Sequence, residues 1–285
     1  MAYALRAECY GESFQVPAHA RRPEPHERFR VLVRAGHGGR VRSVVKALRG
    51  AVAPERMTII ARQDDAALMD ADLTELAFRP RVLLEPRDRG SAVGILLAAY
   101  GIWHGDPDAT VAVIVAGRVV ATAPTFAETL EEAGRFVNRY PRWILLLGAR
   151  HERRTTGLWI VPESVLDCSE TAAVWRVGAI RRGGRSHAFS AGSVFRGTGI
   201  LVAKAARLVS RGRQFLPGTH SALLQAASLL GSRLEVRALQ RTYALTPYLD
   251  LSTSLLEASV ADLAVTEPAG APWMSGLQPI RHVSC

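Results

Sequence analysis

Cysteine is scarce in this chain of 285 residues, and long hydrophobic runs are missing. The three cysteines, Cys9, Cys168 and Cys285, are far apart and lack metal-ligand spacing, which predicts reduced thiols rather than a disulfide framework. The longest apolar stretch ends at His104 and is too short to span a membrane. The amino terminus has no basic region followed by an apolar stretch, so no secretory signal is indicated. These absences predict a cytoplasmic protein without a membrane partner.

Lysine is almost absent, although the net charge is +10. Only Lys46 and Lys204 are lysines, so 34 of the 36 basic residues are arginine. The arginines are spread over the whole length without a long run or a nucleic-acid motif. Such a distribution is typical of genome base composition and disfavours nucleic-acid binding. A nucleotide, or the acidic face of a partner protein, fits the same charge.

Catalytic motifs of several enzyme classes are also missing. The eight histidines show neither pairing four residues apart nor an H-E-x-x-H pattern, which disfavours a metal site. No nucleophile elbow is present, so a hydrolase triad cannot be assigned.

The most informative segment runs from residue 83 to residue 117. Residues 82–84 are typical of a strand end, and Pro86 and Gly90 indicate a loop. Ser91 then begins an apolar run that is too long for a strand and predicts a buried helix. The uninterrupted apolar run at 111–115 predicts a strand buried on both faces of a parallel sheet.

Similar patterns along the chain predict one α/β domain with a Rossmann-like mixed, mostly parallel sheet. Strands are predicted near 57–62, 81–84, 111–115, 143–148, 158–161, 173–180 and 262–267. Helices are predicted near 40–50, 91–104, 125–139, 201–211, 219–231 and 252–259. The domain covers residues 29–285, and residues 1–28 are predicted to be a divergent or poorly ordered lead. The Gly- and Ser-rich stretch 182–199 is predicted to be a flexible loop.

Several short motifs occur in the order seen in a known family. They are E-P-R-D-R-G-S-A at 85–92, D-P-D-A at 106–109, V-A-V-I-V-A-G-R at 111–118, W-I-L-L-L-G at 143–148, W-I-V-P at 159–162, D-L-S at 250–252, L-A-V at 263–265, and Trp273, Pro279 and Arg281. This order resembles the sugar-phosphate nucleotidyltransferases, specifically mannose-1-phosphate guanylyltransferase-like proteins. The resemblance implies a sheet of the nucleotide-diphospho-sugar transferase type. It also implies a nucleotide or nucleotide sugar as ligand.

The chain departs from this pattern where the family carries its chemistry. The family holds Mg²⁺ with two aspartates, and Gly117 and Ser275 stand in those positions here. The family's E-K-P lysine motif aligns with Arg182, Gly183 and Gly184. The resemblance therefore implies no metal ligand and no cofactor, with Mg²⁺ required only if the protein is active. No catalytic residue can be assigned.

Two alignments remain open for the glycine-rich segment of residues 35–41. It matches either a shortened version of the family's phosphate-binding loop or a later G-G-R motif that begins a helix. The second match keeps the spacing to Pro54 nearly intact and is preferred. It implies that the phosphate loop and its nearby lysine are absent.

The resemblance assigns two groups of candidate site residues. Arg89, Gly90, Ser91 and Ala92 correspond to the nucleotide-binding loop, and Asp250 and Ser252 lie where the family has its sugar-side segment. Alternative roles are purely structural. Ser91 and Asp250 are typical helix caps, and Gly90 is typical of a turn. Glu85, where the family has glutamine, disfavours a guanine contact.

Two hypotheses follow. The chain is either an active transferase that makes GDP-mannose or a related nucleotide sugar, or a catalytically impaired relative. An impaired relative would bind a nucleotide sugar or pair with an active paralogue. Loss of the metal carboxylates and the lysine favours the second hypothesis.

Overall fold

Strand-length apolar runs assemble into one mixed sheet that lies between two layers of helices. The computed structural model describes residues 25–36, 41–49, 51–74, 80–116, 125–150, 157–168, 172–183 and 194–267. Within them, the strands are β1 (Phe29–Arg34), β2 (Met57–Arg62), β3 (Arg81–Glu85), β4 (Thr110–Val115), β5 (Ile144–Arg150), β6 (Gly157–Cys168), β7 (Ala173–Gly183), β8 (Phe195–Lys204) and β9 (Leu263–Thr266). The helices are α1 (Arg42–Leu48), α2 (Ala66–Thr74), α3 (Ser91–Gly105), α4 (Thr125–Arg139), α5 (Ala205–Phe215), α6 (Pro217–Ser228) and α7 (Glu235–Leu245). A π-helical turn (Ser252–Leu256) and a 3-10 segment (Glu257–Asp262) lead into β9.

The strand order is β3-β2-β1-β4-β8-β5-β9-β7-β6, and β8 also pairs with β6. Strands β1 to β4 pair in parallel, as do β5 and β9. Strand β8 lies between β4 and β5 and runs antiparallel to both. The predicted mixed α/β sheet is therefore confirmed, but it is not mostly parallel. Among the described strands four pairings are parallel, three of them within β1 to β4, and five are antiparallel.

The two faces of the sheet have separate hydrophobic cores. Helices α3, α5, α6 and α7 cover one face, and α1, α2 and α4 cover the other. Strand β4 shows why its sequence has no polar alternation, because Val111 and Val113 enter the first core while Ala112 and Ile114 enter the second. Helix α3 is buried at every position from 92 to 100, as its uniformly apolar sequence predicts.

Most predicted elements are confirmed, but the prediction for the region around residue 200 is wrong. The predicted helix at 201–211 is a strand as far as Lys204, and α5 begins only at Ala205. Part of the predicted flexible loop is also strand, since 182–183 end β7 and 195–199 begin β8. Residue 194 lies in a bend, and residues 184–193 lie outside the described residues. The cause is tertiary, because the apolar run 200–203 is paired on both sides, by β4 and β5.

Three further sequence predictions concern the amino-terminal lead, the cysteines and the membrane. Residues 1–24 of the predicted lead lie outside the described residues, while Pro25–Arg28 form a 3-10 turn. Cys168 takes part in a disulfide bond, which contradicts the expectation of three reduced thiols. None of the described helices is long and apolar enough to cross a membrane.

Candidate functional site

Strands β1 to β4 end along one edge of the sheet, here called the carboxyl edge. The pairing sets Arg34 at the end of β1 beside Ile60 of β2 and Val115 of β4, and Glu85 at the end of β3 beside Arg62. In open α/β sheets, ligands bind in the crevice outside the carboxyl ends of the strands. The carboxyl edge is therefore where a ligand site is expected, and the predicted site residues lie here.

The loop between β3 and α3 is held by a segment from far along the chain. The amide of Ala92 donates to the carbonyl of Leu249 (2.9 Å), and the amide of Leu249 donates to the carbonyl of Arg89 (2.8 Å). The guanidinium Nε of Arg89 donates to the carbonyl of Tyr243 (2.8 Å). Gly90 has φ of 83°, and a Cβ there would clash with the Leu249 backbone, so glycine is required. This loop is thus fixed by contacts within the protein.

Ser91 and Asp250, from the two predicted groups, are in direct contact. The Ser91 hydroxyl donates to Asp250 Oδ2 (3.0 Å) and accepts from the amide of Leu251 (2.9 Å). Asp250 Oδ1 accepts from the amides of Ser252 (3.1 Å) and Thr253 (3.3 Å). Asp250 therefore caps the turn that follows it, as the structural alternative predicts. Ser91 makes no side-chain cap to its own helix and instead joins α3 to this turn.

Arg182, at the end of β7, completes this cluster. Its guanidinium forms an ion pair with Asp250 and a second one with Glu257 (3.3 Å). Burial raises the pKa of Asp250, but hydrogen bonds from Ser91 and the Thr253 amide, together with the Arg182 charge, outweigh this effect and lower it. Asp250 is thus held as a carboxylate. The side chains of Asp250 and Arg182 remain 34% and 44% exposed, so both are accessible to a ligand.

Beneath α3 lies a buried polar cluster that sequence reasoning did not find. Glu85, only 1% exposed, forms an ion pair with Arg34 and accepts a hydrogen bond from the hydroxyl of Tyr243 (3.0 Å). Gly94 of α3 leaves room for this carboxylate, since a Cβ there would clash with Glu85 and lie 2.7 Å from Ile60 Cγ2. Glu85 is therefore occupied by protein partners.

Burial sets the protonation behaviour of this cluster. It raises the pKa of Glu85, against the charge and hydrogen bond of Arg34. It also raises the pKa of Tyr243, and the neighbouring Glu85 adds to this shift. Sequence reasoning missed the ion pair of Arg34 and Glu85. These residues end β1 and β3, which are parallel strands on either side of β2, and this arrangement is known only from the structure.

The remaining site predictions have no structural account. Gly117, Ser275, Gly184 and the glycine-rich segment 37–40 lie outside the described residues. Helix α1 begins just after that segment, at Arg42. Among the residues that the structure describes, no group of three or more His, Cys, Asp or Glu side chains is arranged to hold a metal ion. Ser252 contributes its amide to Asp250.

Neither protein-family models nor curated protein sequences match this chain. Several solved structures are similar to this chain. The chain is similar to mannose-1-phosphate geranyltransferase from Thermus thermophilus, with a TM-score of 0.65, 19% identity and coverage of 85% of this chain and 74% of that one. It is also similar to mannose-6-phosphate isomerase from Helicobacter pylori, with a TM-score of 0.65, 12% identity and coverage of 85% and 98%. The chain therefore shares the fold of these two proteins.

Proposed function

We propose that the carboxyl edge of this protein binds a nucleotide or nucleotide sugar, and that the protein is a catalytically impaired relative of mannose-1-phosphate guanylyltransferases. The fold supports a ligand at this edge, since open α/β sheets bind ligands outside the carboxyl ends of their strands. The motif order from residue 85 to residue 281 supports the choice of ligand.

One observation carries the proposal, the contact of Ser91 with Asp250 and of Asp250 with Arg182. The two segments that resemble the nucleotide side and the sugar side of the family site are 159 residues apart in sequence, yet they touch. Arg182 can bind a phosphate through its exposed donors while Asp250 orients it. Asp250 Oδ2, which already accepts from Ser91, can accept a further hydrogen bond from a sugar hydroxyl.

The same edge has features that argue against efficient transfer. The family's metal carboxylates correspond to Gly117 and Ser275, and a glycine and a neutral hydroxyl do not fit Mg²⁺. The Ala92 amide, in the first turn of α3, is already bonded to Leu249. Removing a group that stabilises transition-state charge raises the barrier by about 3–4 kcal/mol, which lowers the rate by orders of magnitude.

Thermal unfolding with added ligand tests the proposal. GTP and GDP-mannose are each titrated with Mg²⁺ and with a chelator. A ligand at about a hundred times its dissociation constant stabilises the protein by about 2.7 kcal/mol, which raises the midpoint by about 5 °C. We expect such a shift with at least one ligand in both conditions, because the proposed contacts need no metal.

Variants locate the binding. Arg182→Gln is expected to abolish the ligand shift, while Arg135→Gln retains it, because Arg135 is 72% exposed on α4. No shift with either ligand contradicts the proposal and leaves pairing with an active paralogue. Pyrophosphate release from GTP and mannose 1-phosphate with Mg²⁺, at an ordinary enzymatic rate, contradicts the impairment and favours an active transferase.

A further inference from the structure

The amino end of strand β1 carries a partly buried arginine, Arg30. Arg30 donates through one terminal nitrogen to the carbonyls of Glu27 (2.6 Å) and Phe29 (3.3 Å). In the described part of the chain, no carboxylate lies within ion-pair distance of it. Burial lowers the pKa of Arg30, and the nearby Arg56 adds to this against the charges of Asp106 and Glu55. Arg30 is thus a partly buried cation, and among the described residues its Nε and its other terminal nitrogen have no hydrogen-bond partner.

Arg30 lines a cavity of about 350 Å³ at the edge opposite the carboxyl edge, here called the amino edge. The amino ends of β1, β2 and β3 contribute Arg30, Arg56 and Arg81 to its lining. The lining also includes the apolar side chains of Leu83, Ala98, Ile102 and Leu230. Charged groups beside an apolar surface are typical of small-molecule pockets, and the volume is at the lower end of their range.

Two glycines near the end of α3 line this cavity. Gly105 is the last residue of the helix, and a Cβ there would have no atom within 4 Å. Gly101, one turn earlier, leaves space that the side chain of Leu230 partly fills. A flat ligand can therefore lie against the helix backbone.

The neighbouring carboxylates leave the arginine side available to an anion. Glu235 is paired with Arg81 (3.1 Å), and Asp106 lies 3.9 Å from Arg28 while accepting the amide of Asp108. Glu55 is exposed at the rim. Arg30 lines the cavity and has no paired carboxylate among the described residues.

We propose that this cavity binds a small organic anion, with its phosphate or carboxylate group on Arg30 and its apolar body against α3. Guanidinium groups bind both oxyanions through paired hydrogen bonds. Arg30 lies four residues from Arg34 along β1, roughly 13 Å away, so the site is separate from the carboxyl edge. The inference does not rest on the proposed function.

Titration calorimetry with three probes in about 0.15 M salt, near physiological ionic strength, tests it. The probes are phenyl phosphate, benzoate and inorganic phosphate. We expect saturable binding of phenyl phosphate or benzoate, and which of the two binds more tightly identifies the anionic group. Inorganic phosphate should bind at least about tenfold more weakly than phenyl phosphate, since it lacks the apolar body. Equal affinity for the two phosphates, or no saturable binding of any probe, overturns the proposal.

Two variants and a control assign the site. Arg30→Gln should weaken binding about tenfold by removing a charge-assisted hydrogen bond, while Arg135→Gln removes an equal charge from α4 without effect. Gly105→Leu fills the cavity from an open position and should abolish binding. If Arg30→Gln does not fold, Gly105→Leu decides alone. Unchanged affinity in Gly105→Leu overturns the proposal, as does equal loss in Arg135→Gln.

Discussion

Arg34 and Arg30 stand at the two ends of strand β1, on the same face of the sheet and close to α3. Arg34 is 12% exposed and is paired with a buried glutamate, whereas Arg30 faces a cavity without a carboxylate partner in the described residues. The sequence pattern of the strand does not distinguish them. The partner on a neighbouring element therefore decides whether an arginine at a strand end stabilises the fold or is available to bind a ligand.

The largest expected effect is the loss of Arg34. Arg34→Met leaves Glu85 buried without a counter-charge, so the free energy of unfolding should fall by about 3–5 kcal/mol, measured by urea denaturation. Arg30→Met removes no ion pair and should change it by less than about 1 kcal/mol. Adding Glu85→Gln to Arg34→Met should restore much of the loss. Equal losses in the two single variants would remove the distinction between the ends of β1.

Two glycines of α3 also differ in their surroundings, since Gly94 packs against Glu85 while Gly105 lies in open space. Gly94→Ala drives a methyl group into Glu85 and Ile60, and the free energy of unfolding should fall by about 1–3 kcal/mol. Gly105→Ala adds a methyl group in open space and should raise it by up to about 1 kcal/mol through helix propensity. Thermal and urea denaturation of both variants measure the difference. A stabilising Gly94→Ala would show that the helix can shift away from the carboxylate.

The pH dependence of stability tests the buried carboxyl group. The pKa of Glu85 is raised in the folded state, so folding takes up protons there. Its contribution is fully present below the unfolded-state pKa near 4.5 and is lost as pH rises through the higher folded-state pKa. Wild type should therefore lose stability relative to Glu85→Gln as pH rises from about 4.5. Glu55→Gln at the amino edge is the control for losing one exposed carboxylate, and a constant difference for Glu85→Gln would contradict the assignment.

The smallest effect is expected for single hydroxyl groups. Ser91→Ala removes a donor to Asp250 and an acceptor for Leu251, which should lower the free energy of unfolding by about 1 kcal/mol. Thr58→Val at the amino edge removes a hydroxyl without a hydrogen-bond partner in the described residues, and it should have little effect. Urea denaturation of the two variants, compared at the same pH, measures this difference. Equal losses would indicate that Ser91 contributes only packing.

The local sequence was enough to predict the unit of β3, α3 and β4. A turn glycine, a long apolar run and a buried strand follow one another there within 35 residues. Local sequence failed at β8, where apolar residues with no local turn signal pair with strands distant in sequence. The resemblance found Ser91 and Asp250, which the structure brings together.

Local sequence did not find the Arg34, Glu85 and Tyr243 cluster. Glu85 is 51 residues from Arg34 and 158 residues from Tyr243. No periodicity links such positions, and the burial of Glu85 depends on the packing of α3 and α7. Only the three-dimensional arrangement reveals this cluster.

The position of β8 also has a consequence for synthesis on the ribosome. Strands β4 and β5 are made first, yet they cannot pair with each other, because β8 fills the gap between them. Until residue 204 has left the ribosome, both strands present unpaired backbone edges and apolar side chains. The nascent chain therefore passes through an interval in which it is open to association with other chains. Its yield in cells should depend on chaperones that cover those edges until β8 inserts.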